Sequence, residues 1–219
     1  MTLKETYERL KHEVPGHVTI VAAAKTRSPD EVREAIEAGV TDIGENYVQE
    51  AEDVKAALGD QAQRVRWHMI GHLQKNKINK ALRLFDVIQT VDSLKLATAV
   101  SQRADRRVPV LIEVNSGEEP QKSGILPEDA EALVRDIASL ENITVRGLMT
   151  MGPAFGDPED ARPYFRRTKN LFDRLASLGI PDVEMRDLSM GMSNSYRVAV
   201  EEGSTMIRPG TALFGPRAR

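Results

Sequence analysis

The sequence predicts an α/β fold, a (β/α)8 barrel of the TIM type with one extra helix ahead of the first strand. Three observations predict it. Apolar or β-branched runs of strand length alternate with helical periodicity along the whole chain. Eight such runs are present and each of the first seven is followed by a helical stretch, the pattern of parallel strands joined by right-handed crossovers. The glycine-rich turn expected after the first strand of the competing fold, a doubly wound open sheet, is missing; that position reads AAAKTRSPDE.

The elements follow in order. MTLKETYERLKHEV is an amphipathic helix carrying acids and no apolar signal core. The strand candidates are VTIVAAA (18–24), VTDIGE (40–45), VRWHMIG (65–71), DVIQTV (86–91), VPVLIEVN (108–115), ITVRGLMTM (143–151), MRDLSM (185–190) and TMIRPGTALFG (205–215). The helix after the first strand has Ser28 as its N-cap, Pro29 in its first turn and Gly39 closing its end. LPEDAEALVRDIASL keeps Ala130, Leu133, Val134 and Ile137 on one stripe. In the longer DPEDARPYFRRTKNLFDRLASLG, Pro163 marks an early kink or a delayed start.

Composition bounds the function. The chain has 219 residues, 41% of them hydrophobic, with no linker, repeat or low-complexity tract, so a single domain over 1–219 is expected. A balance of 30 basic against 33 acidic residues gives no sign of a nucleic-acid surface or a basic membrane face. No apolar stretch approaches the roughly 20 residues that span a bilayer, and the expected location is the cytoplasm. Cysteine is absent, which excludes disulfides and thiolate metal sites. His68 and His72 lie four apart, but the segment HMIGH lacks the glutamate of a zinc-binding HExxH, so no metal is expected.

In such barrels chemistry sits where strands end and helices begin. Lys25 closes the run from Val18 to Ala24, so a buried strand delivers a lysine to its tip. A lysine held there, half out of water, offers the nucleophilic amine that Schiff-base chemistry requires. Leu188 to Ser195 combines a glycine, three serines and the start of the helix YRVAVEEG, and suits a phosphate; helix capping by Ser193 or Ser195 is the plainer role. The next strand supplies Arg208-Pro209-Gly210-Thr211, and barrel enzymes frequently hold phosphate between these last two loops. Arg208, ending an apolar strand, needs an acceptor: a pyridine nitrogen, or a barrel carboxylate such as Asp187 or Glu113. The first and eighth strands of a closed barrel are neighbours, so lysine, arginine and phosphate loops converge. Pyridoxal 5′-phosphate carries the matching aldehyde, ring nitrogen and phosphate.

The segments AAAKTRSPDEV, IGENYVQEA, RWHMIGHLQKNK, GLMTMGP, LSMGMSN and STMIRPGTALFG, in this order from about residue 18 to 216, resemble those of the pyridoxal-phosphate homeostasis proteins. That single-domain family is similar to the N-terminal barrel of alanine racemase. The resemblance implies a fold-type III pyridoxal-phosphate barrel, with the cofactor as a Schiff base on Lys25. It implies phosphate contacts from Ser193, Gly210 and Thr211 and a ring-nitrogen contact from Arg208. Asn46 and His72 would line the cofactor's rim, and Met190 to Met192 would shape the phosphate loop. Two positions depart from the family pattern. Ser195 stands where an aspartate is usual and is expected to cap the following helix; Pro209 stands where an aliphatic residue is usual and should break regular pairing.

The resemblance implies a carrier that buffers vitamin B6 aldehyde and passes it on, to apo-enzymes among other acceptors. One alternative is a barrel that binds another phosphorylated metabolite and no aldehyde; another is a racemase or related amino-acid enzyme, which requires a second base on the opposite face of the ring. In alanine racemase a second domain supplies it; here the four tyrosines, Tyr7, Tyr47, Tyr164 and Tyr196, occupy no obvious strand tip, though Tyr47 and Tyr196 are near one. A monomeric carrier is therefore expected over a catalyst. Trp67 is expected to be packing, Gln74 to Lys77 a solvated helix start, and Glu45 either an ion-pair partner of Lys25 or a cap for the next helix.

Overall fold

Eight parallel strands close into a barrel in sequential order, with the last strand hydrogen-bonded to the first. The computed structural model describes residues 1–153 and 156–216. The chain runs α1 (Leu3–Glu13), β1 (Thr19–Ala23), α2 (Pro29–Glu37), β2 (Asp42–Glu45), α3 (Val48–Leu58), β3 (Arg66–Met69) and α4 (Ile78–Leu84). It continues through β4 (Val87–Val91), α5 (Leu94–Ser101), β5 (Val108–Val114), α6 (Ala130–Ala138), β6 (Ile143–Thr150) and α7 (Arg162–Ser177). It ends with β7 (Val183–Ser189), α8 (Tyr196–Glu201), β8 (Met206–Ile207) and α9 (Thr211–Phe214). Each strand is thus followed by a helix, with α1 as the extra one.

Local chemistry explains where the helices begin. Thr2 and Glu5 form a reciprocal capping box at α1, and Ser28 and Glu31 form another at α2, so the predicted N-cap Ser28 is in place. Pro163 falls in the first turn of α7, after a 3₁₀ turn over Pro158–Ala161; the delayed start is what occurs. α7 then buries Phe165, Thr168, Leu171, Phe172 and Leu175 on one side, at helical spacing. Burial of this kind is worth about 1.5–3 kcal/mol for each large apolar side chain.

The barrel is filled inside as well as covered outside. Trp67 is fully buried as expected, with its indole N–H on Ala62 O at 2.8 Å and Lys55 Nζ 5.0 Å above the ring. Gln89 on β4 hydrogen-bonds Ser189 on β7 and Met206 on β8, strands that are not its neighbours in the closed order, so these bonds pass through the lumen.

Two sequence expectations change. β7 starts at Val183, two residues before the expected Met185. The expected strand 205–215 is a strand only at Met206–Ile207; Arg208–Gly210 form a loop and Thr211–Phe214 a short helix. Pro209 has no N–H to offer a neighbouring strand. Its carbonyl still accepts from Ala23 N at 3.0 Å, which holds the loop against β1.

Gly147 marks the tightest approach in the sheet, at a register shift where β6 meets β5 and β7. Its φ is +150°, and a Cβ there would fall 1.8 Å from Asp187 O. Gly147→Ala is expected to lower stability by about 2–4 kcal/mol, read as a lower denaturant midpoint with an unchanged m-value. An alanine variant as stable as the parent would contradict this register.

Candidate cofactor site

The parallel strands put all their C-terminal ends on one rim, and a cavity of roughly 520 Å³ opens there. Lys25, Asn46, Ser193, Arg208, Gly210 and Thr211 all line it. The structure therefore gathers six of the eight residues singled out from the sequence. The other two lie elsewhere. His72 is exposed and outside the lining, and Met190 is fully buried in the core, with Met192 facing the cavity in its place.

β1 presents Lys25 through a tight turn. Ala24 N bonds Gly44 O at 2.8 Å, Arg27 N bonds Ala24 O at 2.8 Å, and Thr26 adopts φ +64°. The Glu50 carboxylate accepts from Thr26 N at 3.1 Å and braces this conformation. Such a left-handed threonine is strained, and the strain sits beside the lysine. The Lys25 side chain is half-buried and, among the described residues, makes no hydrogen bond or ion pair.

Glu45 takes neither expected role. It is fully buried, both carboxylate oxygens lack a hydrogen-bond partner among the described residues, and α3 has no side-chain cap. Burial, with the nearby charge of Glu50, pushes its carboxyl up to about 8, so it is predominantly neutral at pH 7. Asn46, next in sequence, reaches the cavity because β2 and β3 approach closely at their tips. A Cβ on Gly71 would fall 2.3 Å from Asn46 O, so only glycine permits that approach.

The loop after β7 and the loop that opens α9 meet through one hydroxyl. Ser193 Oγ accepts from Gly210 N and Ala212 N, each at 3.0 Å, tying the loop after β7 to the start of α9. Neither serine caps α8. Ser195 Oγ accepts from Met192 N at 3.3 Å, and Tyr196 N bonds Met192 O at 2.8 Å, so Ser195 closes the loop on itself instead of capping the helix. The loop is thus built from its own backbone and two serine hydroxyls, without the aspartate.

Arg208 is 4% exposed, at the floor of the cavity. Its Nη1 donates to Ser189 Oγ at 2.6 Å and its Nη2 to Thr150 O at 2.9 Å. The alternative ion pairs do not form. Asp187 faces Arg186 at 3.3 Å, and Glu113 acts on Arg208 only through longer-range charge. Burial lowers the Arg208 guanidinium to about 10, still a cation at neutral pH. Burial and the charge of Asp92 raise Glu113 to about 7 against the pull of Arg208.

Sequence reasoning missed Arg27. It lines the cavity, is 9% exposed, and donates to Glu31 Oε1 at 2.9 Å and to Gly215 O, with its guanidinium 5.3 Å over the Phe214 ring. Its signal was available: a basic residue two after the strand-tip lysine and one before the N-cap Ser28. The cavity therefore offers an amine, a second cation, loop amides beside a serine hydroxyl, and a rigid guanidinium. That donor set fits a ligand with an aldehyde, an anionic tail and a ring acceptor, which are the groups of pyridoxal 5′-phosphate.

Residues 2–218 match the family described as alanine racemase, N-terminal domain. A pyridoxal phosphate homeostasis protein of Aquifex aeolicus is 41% identical over 201 residues, 90% of this chain and 86% of that protein. The chain belongs to the pyridoxal phosphate homeostasis protein family. The mouse member of the family is 39% identical over 230 residues, 98% of this chain and 83% of its own. Among solved structures, PipY of Synechococcus elongatus with pyridoxal phosphate bound superposes with a TM-score of 0.90 at 34% identity, covering 97% of this chain and 100% of PipY. Alanine racemase of Clostridium difficile shares the fold, with a TM-score of 0.80 at 15% identity over 100% of this chain and 57% of its own.

Glu45 makes stability depend on pH. Its carboxyl titrates near 4.5 in the unfolded chain and near 8 when folded. Between these values the unfolded state has lost a proton that the folded state keeps, so stability falls as pH rises through the window and levels off above it. The slope from this group approaches about 1.4 kcal/mol per pH unit. Denaturant midpoints at pH 5, 6.5 and 8 are expected to decline in the parent and to decline distinctly less in Glu45→Gln. Parallel declines would show that Glu45 does not carry the effect.

Proposed function

We propose that this protein binds pyridoxal 5′-phosphate at the barrel mouth and serves its intracellular homeostasis, buffering the reactive aldehyde and delivering it to acceptors such as apo-enzymes. Lys25 is the covalent anchor. Ser193, Gly210 and Thr211 hold the phosphate, Arg208 faces the ring nitrogen, and Asn46 lines the rim. Arg27 adds a fixed positive charge. The observation that carries the reading is the meeting of Lys25, Arg208 and both phosphate loops in one cavity. The PLP-bound state of PipY, over the same fold and nearly the whole chain, supports it.

Pyridoxal phosphate supplies an aldehyde that condenses with a primary amine and a ring that withdraws electrons when its nitrogen is protonated. The chain's own groups govern both properties. The strained turn at Thr26 aims the Lys25 amine into the cavity. The Arg208 cation donates hydrogen bonds and has no acceptor, so a pyridine nitrogen facing it stays unprotonated. That weakens the electron sink and favours holding the cofactor over transforming amino acids.

The tyrosines support a carrier over a racemase. Tyr196 donates its hydroxyl to Glu13 of α1, and Tyr47 is 59% exposed. Among the described residues, the ionisable side chains lining the cavity are Lys25, Arg27 and Arg208, all of basic type. No helix among the described residues is long and apolar enough to cross a membrane, and we place the protein in the cytoplasm as a monomer.

Mixing the purified protein with pyridoxal phosphate is expected to give visible absorbance that borohydride abolishes, with the phosphopyridoxyl group on Lys25 by peptide mass spectrometry. Lys25→Ala should lose that absorbance while retaining weaker, phosphate-anchored binding. A spectrum unchanged by Lys25→Ala would contradict the anchor. Incubation with each L-amino acid should give little or no D-isomer or α-proton exchange; sustained exchange over many turnovers would favour the racemase.

A further inference from the structure

Beneath the cavity, a chain of buried polar side chains crosses the lumen. Arg208 Nη1 donates to Ser189 Oγ at 2.6 Å, and Ser189 Oγ to Gln89 Oε1 at 2.6 Å. Gln89 Nε2 lies 3.0 Å from His68 Nδ1, and His68 Nε2 lies 2.9 Å from Asp42 Oδ1. Asp42 also accepts from Thr41 Oγ1 at 2.7 Å and pairs with Arg66 Nε at 2.9 Å. None of Asp42, His68, Gln89, Ser189 and Arg208 is more than 4% exposed. The chain climbs from the first residue of β2 to the loop after β8, touching β3, β4 and β7 on the way.

Its chemistry allows one direction. A guanidinium only donates, so the Ser189 oxygen accepts from Arg208 and its proton goes to Gln89 Oε1. That fixes the Gln89 amide, whose Nε2 donates to His68 Nδ1 and, through its second hydrogen, to Met206 Sδ at 3.1 Å. With Nδ1 accepting, the imidazole proton sits on Nε2 and points at Asp42. Burial by itself would raise the Asp42 carboxyl, but hydrogen bonds from His68 and Thr41, ahead of the neighbouring charges, hold it below the usual carboxylate range. An anion thus terminates the chain at the bottom and a cation at the top. Barrel lumens of this class are ordinarily filled with branched apolar side chains, so a fully paired polar column is a departure that packing does not require.

We propose that Asp42, His68 and Gln89 are positioning residues for the cofactor: acting through Ser189, they lock the Arg208 guanidinium in one orientation under the cavity and so fix what its remaining N–H groups present to the pyridine nitrogen. The second lock is Thr150 O on Arg208 Nη2, itself held by Thr150 Oγ1 on Val114 O at 2.8 Å. This proposal rests on the pyridoxal phosphate reading above. It also gives His68 of the WHMIGH segment a structural task in place of metal ligation.

Two measurements test it. In the protein without cofactor, nitrogen-15 correlation spectra of the histidines should show the His68 proton on Nε2 and none on Nδ1; a proton on Nδ1 would overturn the chain. With cofactor, Gln89→Leu, which lies outside the cavity lining, should weaken pyridoxal phosphate binding by about 10- to 100-fold and shift the nitrogen-15 resonance of the labelled pyridine ring. Borohydride labelling of Lys25 should persist in that variant. A folded Gln89→Leu protein with unchanged affinity and ring resonance would overturn the proposal. Should Gln89→Leu fail to fold, Ser189→Ala should reproduce the shift and Ser189→Thr, which keeps the hydroxyl, should restore the parent signal; equal spectra for the pair would overturn it. An unlabelled Lys25 in the parent protein would overturn the cofactor reading, and this proposal with it.

Discussion

The pairing of the first strand with the last is the constraint from which the site follows. Thr19 and Ile20 register with Met206 and Ile207, and Ala23 N reaches Pro209 O just beyond. That seam brings the lysine end of β1 beside the arginine and glycine that follow β8, though they lie more than 180 residues apart in sequence. An open sheet with the same elements would put these two strands apart. The parallel direction of every strand then ensures that the remaining loops open on the same face.

The alternation of strands and helices was legible because each element carries its own signal: an N-cap at Ser28, a helical stripe from Ala130 to Ile137, a buried run ending in Lys25. Features that depend on several elements at once were not. Arg208 was recognisable as a buried cation needing a partner, but its partners, a serine on β7 and a carbonyl on β6, become neighbours only when the barrel closes. The eighth strand was overextended because apolar content persists from Met206 to Phe214, while Pro209 and Gly210 turn the backbone out of the sheet. The resemblance put His72 at the rim and Met190 in the loop after β7, and the turn of the backbone at each tip sends one to solvent and the other into the core. Arg27 was overlooked because a basic residue before an N-cap reads as surface.

Electrostatics divide the site into two regimes. Around Lys25 the chain leaves the amine half-buried and uncommitted, next to a strained turn. Around Arg208 the structure does the opposite, with each contact from Arg208 down to Asp42 specified. On the proposed function, Lys25 needs freedom to form a bond, whereas Arg208, facing the ring nitrogen, needs fixed geometry. The two requirements sit on either side of one cavity, and the serine-tied loops between β7 and α9 supply the third wall.

The most direct test of this arrangement is a crystal structure of the protein soaked with pyridoxal phosphate. The account predicts electron density continuous from Lys25 Nζ into the ligand, the phosphate seated at Ser193 and Gly210, and the pyridine nitrogen facing Arg208. Density for the ligand at another part of the surface, with the Lys25 side chain pointing away from the cavity, would contradict it.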